Sequence, residues 1–349
     1  MRVKLNKSFV NNFSKPYIIA ELSGNHDGSL NKALMLVKKA KEAGADAIKL
    51  QTFKPNSITL NSKKSDFKIK DPQSLWKNAY LFKLYSKAYT PWPWHEKIFK
   101  YAKKIKIDFF SSVFDEDAVD FLEALKVKFY KISSFENNHY PLIKKVISTN
   151  KPLIISTGAS KLSEIDRLVR FFKKKKYNKF ILLKCVSSYP AKFDSMNLNT
   201  ISFLQKRYKC PVGLSDHSIG FLAPIISTNL GACVIEKHIK LDSDKSSIDS
   251  KFAMSASDFK KMCAEVKGVE SVKGDGIFRI DHSEVKNRRF KRSIYISKNV
   301  KQGELINKNN IQIIRPSFGL DPNKYEKVIG KRFKNKYEIG TALRSKMIY

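Results

Sequence analysis

The feature that most constrains the fold is a short apolar run with a polar end, followed by an amphipathic helix, which recurs along the chain. Six copies carry the segments YIIAEL, DAIKLQTF, IDFFSSVF, KFYKISS, PLIISTG and KFILLKCVSSYP. Two further copies end in histidine, and a last helix over 256–269 follows them. Eight such units over about 260 residues predict an α/β fold, the (β/α)8 TIM barrel. A doubly wound open sheet is the alternative, but no GxGxxG follows any run.

The two histidine copies lie within residues 213–238. His217 follows an apolar run that ends at Leu214, and His238 follows one that ends at Ile235. Between them, residues 220–230 are long and apolar enough for one helix, so the pattern predicts two parallel strands. Such strands lie about 5 Å apart, which lets two imidazoles share a metal ion about 2.1 Å from each nitrogen. Hydrogen-bonded structural histidines are the alternative.

Three lysines lie inside apolar runs, at Lys49, Lys131 and Lys184. A buried ammonium group is costly unless an anion pairs with it. We therefore expect these lysines to bind a phosphate or a carboxylate, with serine and threonine hydroxyl groups as further donors. The alternative for each is a salt bridge to a neighbouring carboxylate of the barrel.

A barrel would bring these polar residues together, because active sites of this fold lie at the carboxyl ends of the strands. The residues that we expect there are Glu21, Lys49, Gln51, Ser111, Lys131, Ser133, Ser156, Lys184, Asp216, His217, Glu236 and His238.

Two segments depart from the repeat. Residues 54–97, rich in Pro, Trp and Tyr, are too long for an ordinary loop, which favours a functional insertion. The composition changes again after the barrel, so we expect domains at 1–275 and 291–349 joined by a basic linker, 276–290. The last segment has alternating runs around a turn at Gly303, which predicts a small β-rich unit that must dock to be stable.

The charge of +35 is the extreme of the composition, yet Arg supplies only 11 of the 67 basic residues. The lysines are spread along helices without aromatic or glycine-rich RNA motifs, so we expect no specific nucleic-acid partner. The four cysteines occur singly and without CxxC, which predicts reduced core residues. No run reaches the length of a membrane span and the first residues lack an apolar signal core, so we expect a cytoplasmic protein without a membrane partner.

The motifs IAELSGNHDGS, KLQTF, KISSFE, STG, SSYP, GLSDHSIG, IEKHI and IRPSFGL stand in one order along the chain. In this order they resemble the sialic acid synthase family of phosphoenolpyruvate-condensing enzymes. The resemblance spans nearly the whole chain and implies a (β/α)8 barrel followed by an antifreeze-like (SAF) domain. Three positions depart from the family pattern: the loop SSIDS, Ser317 in place of Gly, and Val186 in place of Thr.

The resemblance also implies roles for individual residues. His217 and His238 would bind a divalent metal, manganese in the first place, with magnesium or cobalt as alternatives. Glu21 and Glu236 are the candidates to take a proton from water. The residues implied in binding the two substrates are Lys49, Gln51, Ser111, Lys131, Ser133, Glu136, Ser156, Tyr189, Ser215, Asp249 and Arg315. Arg315 would reach the sugar of a second subunit, which implies a domain-swapped homodimer.

The implied reaction condenses phosphoenolpyruvate with a 2,4-diacetamido-trideoxy hexose, with release of phosphate by C–O cleavage. Members of the family that use other amino sugars, for N-acetylneuraminic or legionaminic acid, are the nearest alternative. An alternative of another class is a basic binding protein that uses the barrel without catalysis.

Overall fold

A computed structural model describes all residues, Met1–Tyr349. The chain divides into two compact units, Met1–Gly274 and Asp275–Tyr349. None of its helices combines the length and the apolar character that a membrane crossing requires.

The first unit begins with an antiparallel hairpin that the sequence pattern did not predict. Its strands are β1 (Val3–Leu5) and β2 (Ser8–Val10). Their buried side chains belong to the same apolar cluster as Phe110 and Phe129, which point into the barrel. Asn6, in the turn of the hairpin, donates a hydrogen bond of 2.6 Å to Asp108 at the start of a barrel strand. The hairpin therefore covers the end of the barrel where the strands begin.

A closed ring of parallel strands forms the barrel, in which each strand pairs with the next and the last pairs with the first. The strands are β3 (Tyr17–Glu21), β4 (Ala47–Thr52), β5 (Asp108–Val113), β6 (Tyr130–Ile132), β7 (Leu153–Ser156), β8 (Phe180–Cys185), β9 (Val212–Asp216) and β10 (Val234–Lys240), with β11 (Met254–Ser255) beside β10. The predicted (β/α)8 barrel is confirmed, and the open sheet is excluded.

Helices surround the strands. They are α1 (Leu30–Glu42), α2 (Pro55–Ile58), α3 (Leu81–Ala88), α4 (Trp92–Lys104), α5 (Glu116–Ala124), α6 (Tyr140–Ser148), α7 (Leu162–Lys174), α8 (Thr200–Tyr208), α9 (Leu222–Asn229) and α10 (Ala256–Lys273). Each of them except α2 and α3 buries apolar side chains. Ser29 caps the first helix, since its side chain accepts a hydrogen bond from the backbone of Lys32. Gly44 follows the end of that helix at a φ of +92°, a conformation that glycine adopts easily.

The insertion is shorter than predicted. We expected it to span residues 54–97, but α4 begins at Trp92 and packs Ile98 and Ala102 into the core as the second barrel helix. The segment TPWPWH therefore contains the start of a regular helix, with Pro93 in its first turn, where a missing N–H costs little. Only α2, α3 and the chain between them lie outside the repeat.

The second unit has a small core of its own. Strands β12 (Ser293–Ile296) and β13 (Ile311–Ile314) pair in antiparallel fashion, and the short helix α11 (Tyr325–Val328) follows them. The turn at Gly303 has a φ of +75°. Its core side chains are Ile294, Ile296, Val300, Ile306, Ile311, Val328, Phe333, Leu343 and Met347.

A buried ion pair joins β9 and β10 on the outer face of the barrel. Lys237 Nζ lies 2.5 Å from Asp216 Oδ2 and donates to the backbone oxygen of Ser218 at 2.6 Å. Both side chains are 1% exposed, so each charge depends on the other for compensation. Asp216 thus faces away from the barrel interior, and its expected place at the site is wrong.

We expect Asp216→Asn to lower the free energy of unfolding by about 3–5 kcal/mol, because it leaves the Lys237 ammonium group buried without a counter-charge. The measurement is urea denaturation followed by tryptophan fluorescence, which reports on the first unit because all three tryptophans lie there.

The control is the double variant Asp216→Leu/Lys237→Met, which removes both charges and should stay near the wild-type value. If Asp216→Asn is as stable as the double variant, the Lys237 ammonium group does not depend on Asp216 for charge compensation.

Candidate functional site

The site is built by strand residues that point into the barrel near the carboxyl ends. Pairing places Lys49 beside Glu21, and Glu21 beside His238. It also places Glu236 beside Ser215 on the neighbouring strand. Because side chains alternate between the two faces of a strand, these residues share the interior with the apolar cluster that lies nearer the strand starts.

One carboxylate oxygen joins most of the buried charges. Glu236 Oε1 lies 3.2 Å from Lys49 Nζ and 3.1 Å from Lys131 Nζ. The hydroxyl group of Ser215 donates to the same oxygen at 3.1 Å. Lys131 is 2% exposed and Glu236 4%, so water cannot supply this compensation. The other oxygen of Glu236 is buried and has no hydrogen-bond partner.

The second carboxylate is more fully engaged. Glu21 Oε2 lies 2.8 Å from Lys49 Nζ. Glu21 Oε1 accepts hydrogen bonds from the amide of Gln51 at 3.1 Å and from the backbone of Ser23 at 3.0 Å. Lys49 also donates a hydrogen bond to Ser112 Oγ at 3.1 Å, so its ammonium group has two carboxylate contacts and one hydroxyl contact.

These contacts move the pKa values of the buried groups in different directions. Burial alone would raise the pKa of Glu236, but the two lysines hold it below the ordinary value. Burial would lower the pKa of Lys49, yet Glu21 and Glu236 raise it. Burial does lower the pKa of Lys131, and Glu236 offsets this only in part. Lys131 therefore has the weaker compensation and, with a carboxylate partner only at Glu236, retains donors for a ligand.

Further donors lie near Lys131, one on the neighbouring strand β7 and one directly after β6. Ser156 is 1% exposed, and its hydroxyl group has no partner. Ser133 follows β6, half-buried, on the same face as Lys131. At Gly158 a Cβ atom would lie 2.2 Å from Ser187 Oγ, so only glycine lets the chain pass this close. This side of the barrel is suited to an anion, which would gain charge-assisted hydrogen bonds.

The two histidines lie side by side, with their ring centroids 5.4 Å apart. His217 Nδ1 is 2.9 Å from the backbone oxygen of Val186, which holds the proton on that nitrogen and leaves Nε2 with its lone pair. His238 Nδ1 is buried without a hydrogen-bond partner, and Asp249 Oδ2 is 3.6 Å away.

This pair fits a divalent cation. A backbone carbonyl oxygen that orients the imidazole is typical of metal-binding histidines. The unpartnered oxygen of Glu236 and the unpartnered Nδ1 of His238 are buried electron-pair donors of the kind that a cation satisfies. The chain has no group of three or more His, Cys, Asp and Glu arranged to hold a metal, so water or substrate would have to complete the coordination.

Three other predicted residues line the mouth of the barrel. Tyr189 lies over His217 with ring centroids 4.5 Å apart. Burial would raise the pKa of Asp249, but contacts with His238 and with Ser23 keep it low. Burial raises the pKa of Glu136 to about 7, against the opposing charge of Lys131, and its Oε2 has no partner.

One serine of the expected site, Ser111, does not face the barrel interior. Ser111 Oγ lies 2.6 Å from Thr52 Oγ1 and donates to the backbone oxygen of Ser112, so it faces outward, towards the helices. Its neighbour Ser112 faces inward and accepts the hydrogen bond from Lys49. Strand alternation determines this difference, but two consecutive serines give no sign of which one faces inward.

The alternation of side chains along β8 also contradicts the prediction for one lysine. Ile181 and Leu183 belong to the interior cluster, so Lys184 lies on the outer face of β8. Its ammonium group reaches only the backbone oxygen of Cys185 at 3.5 Å. The expectation that it binds an anion inside the barrel is wrong. Cys185 takes the interior position, with Sγ 3.8 Å from His217 Nδ1.

Arg315 belongs to the second unit, where it is exposed directly after β13. Its role at a partner's barrel stays a prediction.

Two aromatic residues were missed. Trp76 of the insertion and Phe252, from the loop after β10, both pack against Tyr189. Sequence spacing could not have placed them there, because they come from loops far apart in the chain.

The fold and the site together define a (β/α)8 barrel whose mouth combines paired lysines, carboxylates and histidines, an arrangement that suits an anionic substrate. Residues 36–278 match the NeuB family, and residues 291–348 match the SAF domain. The chain therefore belongs to the NeuB family and carries a SAF domain after its barrel, as the sequence motifs predicted.

Relatives match along nearly their whole length. The pseudaminic acid synthase of Campylobacter jejuni subsp. jejuni serotype O:23/36 (strain 81-176) is 45% identical over 334 residues, or 96% of this chain and 97% of that protein. The N,N'-diacetyllegionaminic acid synthase of Campylobacter jejuni subsp. jejuni serotype O:2 is 36% identical over 91% of this chain and 95% of that protein.

A solved structure shares the fold. N-acetylneuraminic acid synthetase from Leptospira borgpetersenii serovar Hardjo-bovis, in complex with citrate, aligns with a TM-score of 0.71 at 29% identity. The alignment covers 82% of this chain and 95% of that one.

We expect Glu136 to make stability fall as the pH rises. Its ordinary pKa is 4.5 and its pKa in the folded barrel is about 7, so ionisation favours the unfolded chain across this window. Glu136→Gln should therefore raise the melting temperature relative to the wild type progressively from pH 4.5 to 7, and by a constant amount above pH 7.

The control is Glu265→Gln, which makes the same substitution at an exposed carboxylate of α10, outside the barrel. Parallel melting profiles of Glu136→Gln and the wild type over the whole range would contradict the raised pKa.

Proposed function

We propose that this chain condenses phosphoenolpyruvate with 2,4-diacetamido-2,4,6-trideoxy-L-altrose to give pseudaminic acid and phosphate. The observation that carries the proposal is the 45% identity over 96% of the chain with a pseudaminic acid synthase. The buried lysines beside a histidine pair support it, because the reaction needs both an anion site and a site where an aldehyde is activated.

We assign phosphoenolpyruvate to the side of the barrel around Lys131. Lys131 has N–H groups to spare, and the hydroxyl group of Ser156 lacks a partner. Lys49 already contacts Glu21, Glu236 and Ser112, so we expect it to bind the substrate by exchanging one of these contacts. The remaining predicted donors on this side are Gln51, Ser133 and Ser215.

The acceptor sugar would occupy the mouth of the barrel, beside the histidines. Tyr189 and Asp249 contact His217 and His238 respectively, and Glu136 carries an unpartnered carboxyl oxygen. A divalent cation between His217 and His238, in the first place manganese, would supply Lewis acidity towards the aldehyde oxygen and lower the pKa of water.

The reaction balances with one water molecule. The C3 carbon of phosphoenolpyruvate forms a bond to the aldehyde carbon of the sugar, and water adds at C2. The C2–O bond to phosphate then breaks, so phosphate leaves with its bridging oxygen. Glu236 Oε2 is the better placed proton acceptor, since it has neither a hydrogen bond nor a salt bridge, whereas Glu21 Oε2 is in an ion pair with Lys49 and Glu21 Oε1 accepts two hydrogen bonds. Lys131 would offset negative charge on the substrate throughout.

The test is phosphate release from phosphoenolpyruvate in the presence of Mn²⁺ and a panel of amino sugars. The highest kcat/KM should be found with the diacetamido-trideoxy altrose. Preference for the acceptor of a legionaminic or N-acetylneuraminic acid synthase would make the chain a sibling enzyme. No phosphate release with any sugar would favour a binding protein without catalysis.

We expect Lys131→Met to raise the KM for phosphoenolpyruvate about 10- to 100-fold, the equivalent of a lost hydrogen bond between charged groups. The KM for the sugar should change little. Lys184→Met is the matched control, because it makes the same substitution on the outer face of β8. It should leave the KM for phosphoenolpyruvate and the KM for the sugar unchanged. A rise in the sugar's KM alone would reverse our assignment of the two substrate sides.

We also propose that Arg315 completes the site of a second copy of the chain in a domain-swapped homodimer. The support is that the second unit is small and that Arg315 is exposed on it. Specific nucleic-acid binding is not expected, and a cytoplasmic location remains part of the proposal.

Co-expression of two differently tagged chains tests the shared site. A mixed dimer of Arg315→Ala and His217→Ala chains should recover about half of the wild-type rate, because one of its two sites combines an intact barrel with an intact arginine. The control dimer pairs the double variant with a wild-type chain and should be nearly inactive. If the control is active and the first dimer is not, Arg315 acts within its own chain.

A further inference from the structure

Three aromatic rings from three separate loops form a continuous wall at the mouth of the barrel. Trp76 comes from the insertion, Tyr189 follows β8 and Phe252 follows β10. The Trp76 and Tyr189 ring centroids are 5.6 Å apart, those of Tyr189 and Phe252 are 5.1 Å apart, and those of Trp76 and Phe252 are 6.4 Å apart. We call these three residues the aromatic wall.

The aromatic wall stands against the histidine pair. Tyr189 lies 4.5 Å from His217, and Phe252 lies 4.8 Å from His238, between ring centroids. Trp76 contacts neither histidine, so it forms the part of the wall farther from the reacting end of a bound sugar. Its only polar group is already used, because the indole N–H donates to the backbone oxygen of Ile248 at 3.3 Å. The half-buried indole therefore offers a bound ligand only apolar surface.

Trp76 contributes the part of the wall whose polar group is already used, and such apolar surface discriminates between sugar substituents. A methyl group gains by leaving water, whereas a hydroxyl group that finds no partner there loses its hydrogen bonds to water. The acceptor proposed above has its aldehyde at C1 and a methyl group at C6, at opposite ends of the molecule. With C1 at the histidines, the C6 end lies towards the outer part of the wall.

We propose that the aromatic wall receives the C6 methyl group of the acceptor, and that Trp76 makes the enzyme prefer 6-deoxy sugars to their 6-hydroxy counterparts. This proposal rests on the proposed function and adds a specificity-determining residue to it. It also gives the insertion a role, since the insertion carries Trp76 to the site.

The competing explanation is that Trp76 only packs the insertion against the barrel. A packing role predicts that its removal harms all substrates alike. A specificity role predicts a change in the ratio between two substrates that differ only at C6.

The experiment measures kcat/KM for the 2,4-diacetamido-2,4,6-trideoxy sugar and for the same sugar with a 6-hydroxyl group. The wild type should prefer the deoxy sugar by about 10- to 100-fold, the range that an apolar pocket achieves against an added hydroxyl group. Trp76→Ala should bring the ratio to within about threefold of unity, mainly by a higher KM for the deoxy sugar. Trp76→Phe, which keeps an apolar ring, should lie between the two.

Trp92→Phe is the matched control. Trp92 also lies near the insertion, but it stacks on Phe121, 4.6 Å away, and does not belong to the aromatic wall. The ratio of kcat/KM for the two sugars should be the same in Trp92→Phe as in the wild type. An unchanged ratio in Trp76→Ala, or an equal loss with both sugars, would overturn the proposal.

A binding measurement separates this proposal from the proposed function. In the double variant Trp92→Phe/Trp94→Phe, Trp76 is the one remaining tryptophan, so its emission reports directly on the wall. Saturation with the deoxy sugar should shift this emission. A shift of the emission without phosphate release would contradict the proposed function but support sugar binding at the aromatic wall. No shift, even in an active enzyme, would overturn the proposal that the aromatic wall contacts the sugar.

Discussion

The rest of the site depends on the ion pairs that meet at Glu236 inside the barrel. Lys49 and Lys131 are almost fully buried, and neither could stay charged there without a carboxylate nearby. The barrel supplies that carboxylate from β10, which lies two strands from β4 and four strands from β6 around the ring. Charge compensation therefore depends on closure of the barrel, because only the closed ring brings Lys131 and Glu236 together.

This arrangement prepares the barrel for an anion. The buried carboxylates hold the lysines in place while the site awaits substrate, and an incoming anion takes over part of their compensation. Lys131, with a lowered pKa and a carboxylate partner only at Glu236, is the residue most ready for that exchange. On the outer face, the ion pair of Lys237 and Asp216 joins β10, which carries His238, to β9, which His217 directly follows. This pair therefore helps to hold the two histidines side by side.

Much of this could be predicted from the sequence, and the limits have physical causes. Eight repeats ending in polar residues led to the barrel, and strand ends led to Lys49, Lys131, Glu236 and the histidines. A period of two does not reveal which of two neighbouring residues faces inward, so Ser111 was chosen instead of Ser112 and Lys184 was wrongly included. Long-range loop contacts such as that of Trp76 leave no periodic signal at all.

The most direct test of the buried charge cluster is calorimetric titration of phosphoenolpyruvate alone, with Mn²⁺ present, into the wild type and three variants. If the cluster is the anion site, Lys49→Met and Lys131→Met should each weaken binding at least about tenfold, because each removes a charge-assisted hydrogen bond. Lys184→Met, on the outer face, should bind as the wild type does. Wild-type affinity in both interior variants would contradict the account.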